Sequence, residues 1–135
     1  MAPSRDEREQ LDFELWFLEG VVGRKPDYVD ALSLLANDYT ARGLYQKGLE
    51  ADRQLAELRP QDPTVIYNLA CSLSLTGGID EAFSMLARAI FLGYDDFHHL
   101  RRDPDLEVVR RDPRFRTFLE VTRREAAERK PKARE

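Results

Sequence analysis

The sequence matches itself when it is shifted by 34 residues, and this period constrains the fold more than any other feature. The pairs of identical residues that the shift brings together are Pro26 and Pro60, Leu35 and Leu69, Ala36 and Ala70, and Gly43 and Gly77. A period of this length is typical of a helical hairpin used repeatedly, because one hairpin buries its apolar face only by stacking on a copy of itself. The sequence therefore predicts an all-α fold of stacked hairpins.

Apolar residues recur at helical spacing within both copies, residues 26–62 and 63–96. The first helices carry Leu32, Leu35, Ala36 and Tyr39 in one copy and Ile66, Leu69, Ala70 and Leu73 in the other. The second helices carry Leu49, Leu55 and Leu58, then Ala82, Leu86, Ala89 and Ile90. Gly43 and Gly77 follow the first helices, where glycine takes the left-handed conformation that ends a helix. Each copy is predicted to be helix, turn, helix.

Capping residues indicate where the helices begin. Asp62 before Pro63 opens the second copy, because a carboxylate accepts hydrogen bonds from free amides and proline lacks the N–H of the first turn. Asp27 is predicted to cap the first copy in the same way. Ser4 and Glu7 have the spacing of a capping box, which predicts a further helix in residues 1–25.

At these positions the chain resembles the tetratricopeptide repeat family. The second copy meets the family pattern with Ile66, Leu69, Ala70, Leu73, Gly77, Ala82, Leu86 and Ala89. The first copy departs from the pattern in its second helix, where Gly48 and Leu55 replace alanines and Asp52 replaces a large aromatic residue. The resemblance implies a helical solenoid that acts as a protein-binding scaffold and not as an enzyme.

The other segments are predicted to close the two ends of this solenoid. Residues 1–25 form a half repeat, residues 97–121 a helical cap, and residues 122–135 a charged tail that is loose at its end. Asp103-Pro104 and Asp112-Pro113 interrupt what would be a third copy, which indicates two short helices, each newly started. The Asp-Pro-Asp-Leu and Asp-Pro-Arg-Phe strings resemble the segment that closes many small bacterial proteins of the family.

The resemblance also implies that the first helix of each hairpin lines a concave, ligand-binding groove. Side chains at helical spacing on that face form a polar strip that ends in positive charge. We expect a protein or peptide segment to bind there. The predicted groove residues are Ser33, Asn37, Thr40, Tyr67, Asn68, Cys71, His98, Arg101 and Arg102.

Some members of the family hold a C-terminal carboxylate with a clamp of asparagines and basic residues. The two clamp asparagines correspond to Asn37 and Asn68, and the last clamp arginine corresponds to Arg102. Ser33 and His98 stand where the clamp has lysines, so two of its cations are replaced. The sequence leaves open whether the groove binds a terminal carboxylate or an internal segment.

The predicted N-terminal helix has a wide apolar surface. Leu11, Leu15, Leu18 and Val22 form one stripe, and the aromatic residues Phe13, Trp16 and Phe17 extend beyond it. An uncovered aromatic patch indicates contact with another protein, and a symmetric homodimer is one simple form of such contact. The alternative is that the helix lies deeper and buries the rings internally.

Charge is unevenly distributed along the chain. Residues 1–62 have 13 acidic and 8 basic side chains, whereas residues 97–135 have 8 acidic and 12 basic ones. The basic end could attract an anionic partner. The alternative is a solvated helical surface, since the arginines alternate with Asp and Glu.

Other classes of function find little support in the sequence. Cys71 is the single cysteine, so no intrachain disulfide forms, and the adjacent His98 and His99 diverge on a helix. No phosphate-binding glycine loop follows a strand, and aromatics are not interleaved with the arginines. No membrane-spanning or signal segment is evident. We expect a cytoplasmic protein with no metal, cofactor, nucleic acid or membrane as its partner.

Overall fold

The computed structural model describes residues 2–129, which form helices and turns without a strand. The helices are α1 (Arg5–Arg24), α2 (Val29–Ala41), α3 (Tyr45–Leu58), α4 (Pro63–Leu75), α5 (Ile79–Phe91), α6 (Phe97–Leu100), α7 (Glu107–Arg111) and α8 (Phe115–Arg129), with a 3₁₀ turn at Pro104–Leu106. The predicted all-α fold is confirmed over this range. The described chain divides into two compact units, with the boundary between Pro60 and Gln61.

The first unit contains α1 to α3. The capping box at the start of α1 is confirmed, because Glu7 N donates to Ser4 Oγ at 3.2 Å and Ser4 N donates to Glu7 Oε2 at 3.1 Å. Helix α1 packs on α2, which packs on α3. The core side chains of this unit are Leu15, Ala31, Leu32, Leu35, Ala36, Tyr39, Ala51 and Leu55.

The predicted cap of α2 is wrong. Helix α2 begins at Val29 with Tyr28 as its N-cap residue, and no side chain hydrogen-bonds to the cap. Asp27 therefore lies one position too early along the chain to act as the N-cap of this helix.

The three departures from the repeat pattern in α3 all lie at buried positions. Gly48, Asp52 and Leu55 are buried. A Cβ at Gly48 would lie 2.9 Å from Thr40 Oγ1, which is closer than real Cβ contacts. The missing side chain of Gly48 thus leaves room for Thr40 of α2.

The first helices of the two hairpins end in the same type of turn. Gly43 has φ 84° and Gly77 has φ 86°, a conformation that glycine adopts without a Cβ clash. The amide after each glycine closes the turn: Leu44 N donates to Tyr39 O at 2.8 Å, and Gly78 N donates to Leu73 O at 2.9 Å. This is the Schellman arrangement, and it recurs at equivalent positions of the two sequence copies.

The second unit contains α4 to α8. Asp62 Oδ1 accepts from Thr64 N at 2.9 Å and from Val65 N at 3.3 Å, with Pro63 in the first turn, which confirms the predicted cap. Helix α4 packs on α5, on the 3₁₀ turn and on α7, and α5 also packs on α8. Fully or almost fully buried side chains of this unit include Ile66, Leu73, Leu86, Leu100, Leu106 and Val109.

Helix α8 extends through part of the predicted charged tail. Residues 122–129 continue the helix that begins at Phe115, so residue 121 is not the end of an element and the segment after Asp112-Pro113 is not short. Arg123 lies over the Phe97 ring at 4.5 Å and Arg129 over the Phe91 ring at 4.1 Å. These cation–π contacts give the charged turns of α8 a packing surface. The rest of the predicted tail, residues 130–135, lies outside the described residues.

Among the described helices, none combines the length and the apolar character needed to cross a membrane.

Candidate functional site

The predicted groove residues of α2 differ in their exposure. Asn37 is exposed, while Ser33 and Thr40 are half-buried. Thr40 lies against α3, because its Oγ1 occupies the space beside Gly48. Of this set, Asn37 is the side chain with the most room for a ligand.

The predicted groove residues of the second unit separate into an exposed and a buried set. His98, Arg101 and Arg102 are exposed, and Asn68 is half-buried. Tyr67 is 3% exposed and Cys71 is 6% exposed, so their assignment to a solvent-facing strip is wrong. The cap covers this part of α4, because the 3₁₀ turn and α7 pack on it.

These buried residues belong to a polar cluster around Asp103, which is 7% exposed. Tyr67 Oη donates to Asp103 Oδ2 at 2.7 Å, and Cys71 Sγ donates to the same oxygen at 3.6 Å. His99 Nε2 lies 3.1 Å from it. We call Tyr67, Cys71, His99 and Asp103 the Asp103 cluster. It joins two residues of α4 to one of α6 and to the cap residue of the 3₁₀ turn.

Short-range contacts hold Asp103 in this position. Its Oδ1 accepts from Asp105 N at 3.0 Å, which caps the 3₁₀ turn that starts at Pro104. The half-buried Arg110 donates to two backbone carbonyls, Leu100 O and Asp103 O. One carboxylate therefore caps a turn with one oxygen and binds α4 with the other.

The environment of the cluster keeps its weak acids protonated. Burial, together with the negative charge of Asp103, raises the pKa of the Cys71 thiol far above its usual value, and burial likewise raises the pKa of Tyr67. Tyr94 stacks on Tyr67 with ring centroids 4.1 Å apart, and burial raises its pKa to about 12. Burial also raises the pKa of Asp105, followed by the charge of Asp103.

The arrangement of these groups favours a structural role, in which buried hydrogen bonds hold two segments together. A thiol that stays protonated is neither a strong nucleophile nor a metal ligand. Among the residues that the structure describes, no group of three or more His, Cys, Asp or Glu side chains is arranged to hold a metal ion. The Asp103 cluster therefore fastens the cap to α4 through a buried carboxylate.

From the sequence alone, Asp103 has only the role of a helix cap. Asp103-Pro104 and Asp112-Pro113 are alike as local strings, and both carboxylates accept a hydrogen bond from the amide two residues later. The difference comes from Tyr67, which lies far from Asp103 along the chain. Tyr67 and Cys71 lie four positions apart and therefore on one face of α4, and this spacing was the available signal for a shared polar contact.

The aromatic residues of α1 face solvent. Phe13 is 60% exposed, Trp16 71% and Phe17 53%, so the alternative in which the helix buries these rings internally is wrong. The Phe13 and Trp16 ring centroids are 6.1 Å apart. We call these three residues the aromatic face. Leu15, on the opposite side of the helix, is the residue of α1 that is buried.

A pair of carboxyl groups joins α1 to α2 in the first unit. Burial raises the pKa of Asp38 to about 6, and a hydrogen bond with Glu14 contributes to the shift. Nearby, Tyr39 Oη donates to Glu19 Oε2 at 2.6 Å. Arg42 Nε and Asp12 Oδ1 form an ion pair at 2.8 Å. Polar contacts near the surface thus join α1 to α2 beside the apolar core.

Comparison with known proteins gives one partial likeness. The chain is 32% identical over 84 residues to a chloroplastic protein of Arabidopsis thaliana. The aligned part is 60% of this chain and 25% of the plant protein, so the match spans about a quarter of that relative's length. No protein-family model matches the sequence, and no solved structure matches it. The resemblance to tetratricopeptide repeats stays a prediction.

Proposed function

We propose that this chain is a tetratricopeptide-like adaptor that binds a peptide or protein segment through polar side chains on the first helices of its hairpins. The observation that supports this most is the recurrence of one hairpin. The α2–α3 and α4–α5 hairpins have the same glycine turn at equivalent positions of the sequence repeat. A hairpin used repeatedly is the building unit of helical-repeat proteins, which present extended binding surfaces.

The side chains of the predicted strip that are exposed or half-buried suit a polypeptide ligand. Asn37 and Asn68 each carry an amide that can donate to and accept from a peptide backbone. Arg102 and His98 are exposed beside the cap and can pair with a carboxylate. The proposal includes no catalytic role, since the thiol of Cys71 is buried and protonated.

The test uses the intact chain as bait for protein partners. We expect Asn68→Ala and Arg102→Glu to lose a partner that the wild type retains, with little change in thermal stability, because Arg102 is exposed and Asn68 is not part of the buried core. Arg8→Glu, an exposed charge reversal on α1, is the matched control and should keep the partner. Quantitative mass spectrometry of the retained proteins measures this. If every retained protein also binds both variants, the proposed surface is wrong.

A second candidate function is self-association, and the exposure of the aromatic face favours it. Pairing three rings with a symmetry mate would remove a few hundred Å² of apolar surface from water, worth several kcal/mol before the entropic cost of association. Phe17→Glu would place an unpaired charge in such an interface. Leu34→Glu, at an exposed leucine of α2, is the control.

Light scattering coupled to size exclusion decides this second candidate. Self-association predicts a wild-type dimer at high protein concentration, a Phe17→Glu monomer that remains helical, and a Leu34→Glu dimer. A wild type that stays monomeric contradicts the dimer. The aromatic face would then remain available to a different protein.

We further propose that the protein folds in the cytoplasm without metal, cofactor or disulfide. Its helices bury an apolar core in each unit, and Cys71 is a free thiol. The name of the Arabidopsis relative assigns that protein to the chloroplast, which leaves the compartment of this chain as a proposal. Circular dichroism should show the same helical content with and without EDTA and reductant. A loss of helicity in EDTA would overturn the metal-free proposal.

A further inference from the structure

A cavity of about 600 Å³ lies on the second unit, where the end of α6 meets α7 and α8. Phe115 and Leu119, from the first turns of α8, supply its apolar surface. Leu119 is buried and Phe115 is half-buried. The volume falls in the range of ordinary ligand sites, and the apolar surface can accept an apolar side chain.

Arginines form the polar part of this cavity. Five arginines and one glutamate line it: Arg101, Arg110, Arg116, Arg123, Arg124 and Glu120. The lining thus has a strong excess of positive charge, although the whole protein has a net charge of −4. A local cluster of like charges is unfavourable for folding, and in an acidic protein it does not follow from general composition. We call this site the arginine cavity.

Few of these arginines are neutralised by a carboxylate. Arg116 pairs with Glu120 at 3.5 Å. Arg110 donates to two backbone carbonyls, and Arg123 lies over the Phe97 ring, so both keep their positive charge. Within residues 2–129, the side chains of Arg101 and Arg124 have no hydrogen bond or ion pair, and both are exposed. Their guanidinium groups are available to a ligand.

We propose that the arginine cavity binds an acidic peptide segment that places one apolar side chain against Phe115 and Leu119. Guanidinium groups bind carboxylates in a bidentate way, and several of them around one cavity match a run of Asp and Glu. The apolar surface would contribute nothing to binding a free phosphate or a sugar–phosphate backbone. An open, concave cleft also fits a side chain better than it fits a flat anionic membrane.

This site does not depend on the proposed groove. Apart from Arg101, its residues are not those of the polar strip on α2 and α4. The substitutions that test the groove, Asn68→Ala and Arg102→Glu, therefore change no residue that lines the arginine cavity. The two proposals can fail separately.

The experiment measures fluorescence anisotropy of labelled peptides with the full chain. The first peptide alternates Glu and Asp around a central Leu, the second replaces that Leu by Ser, and the third replaces the acidic residues by Lys. We expect the first peptide to bind, the second to bind more weakly and the third not to bind. Binding should weaken as salt is raised, because the cations are exposed.

Variants locate the binding site on the protein. Arg101→Glu combined with Arg124→Glu should weaken binding of the first peptide about tenfold or more, since two attractive charges become repulsive. Arg8→Glu combined with Arg24→Glu carries the same change in net charge on α1, outside both the cavity and the polar strip, and should bind within about twofold of the wild type. Circular dichroism confirms that both double variants are folded. A milder pair, Arg101→Gln with Arg124→Gln, keeps the test valid if the charge reversal unfolds the chain.

Several results would overturn the proposal. One is that none of the peptides binds, and another is that both charge-reversal pairs weaken binding equally, which would indicate general charge attraction. Equal binding of the Leu and Ser peptides would remove the role of Phe115 and Leu119. Vesicles of phosphatidylcholine with phosphatidylserine as the minor, anionic lipid are tested in parallel. If these vesicles bind through Arg101 and Arg124 and the peptides do not, the site recognises a membrane and the peptide proposal is wrong.

Discussion

Helix α1 and the cap close the two hairpins in different ways. Within residues 5–24, α1 buries Leu15 and leaves the aromatic face exposed. The cap, predicted as residues 97–121, places Leu100, Leu106 and Val109 of its short segments fully inside the second unit. A long continuous helix thus buries fewer side chains than short segments that bend around α4 and α5. In these two elements, the number of fully buried apolar side chains follows the path of the chain and not the length of the helix.

The polar contacts of the two closing elements differ in the same sense. Tyr39 donates to Glu19, whose carboxylate is exposed, whereas Tyr67 donates to Asp103, whose carboxylate is buried. An exposed partner can be replaced by water when it is lost. A buried partner cannot, so its loss leaves an unsatisfied group with the full desolvation penalty.

The largest difference in the free energy of unfolding is expected between a leucine substitution in the cap and one in α1. Leu106→Ala should lower the free energy of unfolding of the second unit by about 4 kcal/mol, because it opens a cavity in a fully enclosed site. Leu15→Ala should cost the first unit about 2 kcal/mol, since a site near the helix surface can relax. Hydrogen exchange followed separately for the amides of each unit measures both. Equal losses would contradict the comparison.

The two Asp-Pro turns allow a closer test, with one substitution made in two places. Asp103→Ala should destabilise the second unit by about 3 kcal/mol, because Tyr67 Oη is left buried without its acceptor. Asp112→Ala removes an exposed contact with Arg114 and should cost clearly less. Thermal unfolding of both variants, each compared with wild type, checks the order. Similar melting temperatures for the two would show that the Asp103 cluster is not an anchor.

The hydroxyl groups of Tyr39 and Tyr67 allow a third comparison between a surface contact and a buried one. Tyr67→Phe should cost about 1.5 kcal/mol, since the buried carboxylate of Asp103 loses the hydrogen bond from the Tyr67 hydroxyl. Tyr39→Phe should cost about 0.5 kcal/mol, because Glu19 recovers its lost bond from water. Chemical denaturation gives both values. A larger effect at Tyr39 than at Tyr67 would reverse the assignment of buried and surface anchors.

The last effect expected is a dependence of first-unit stability on pH. The pKa of Asp38 is about 6 in the folded chain against an ordinary 3.8, so the folded state binds more protons between these values. Stability should therefore fall as pH rises from about 4 to about 6 and then stay level. Asp38→Asn should remove about 1 kcal/mol of this change, with solvent screening reducing the full effect of the shift. Denaturation of the wild type and of Asp38→Asn is measured at pH 4.5 and at pH 7. If stability depends on pH in the same way for both, the prediction is wrong.

The sequence was sufficient for features that depend on neighbouring residues. Ser4 with Glu7, and Asp62 with Pro63, cap helices within three positions, and the glycines at 43 and 77 end helices by their own conformation. These signals are local, so they can be read in one chain without its fold. Asp27 failed as a cap because the start of a helix can move by one residue without changing the apolar pattern.

The candidate sites were harder to predict because they depend on contacts between residues that are far apart along the chain. The burial of Tyr67 and Cys71 depends on the path of the cap, which turns back over α4 after Asp103. The arginine cavity forms from α6, α7 and α8, and the sequence showed only an excess of basic residues there. The continuation of α8 to Arg129 relies on the rings of Phe91 and Phe97, which belong to α5 and α6 and lie much earlier in the chain.

The exposure of Trp16 makes this protein a natural optical probe of docking. It is the single tryptophan of the sequence, and its indole stands on the aromatic face, outside the core of the first unit. Its emission should already resemble that of indole in water in the native state, so heating or urea will change its wavelength little. A blue shift under native conditions would instead report that another surface has covered α1, without any label attached to the chain.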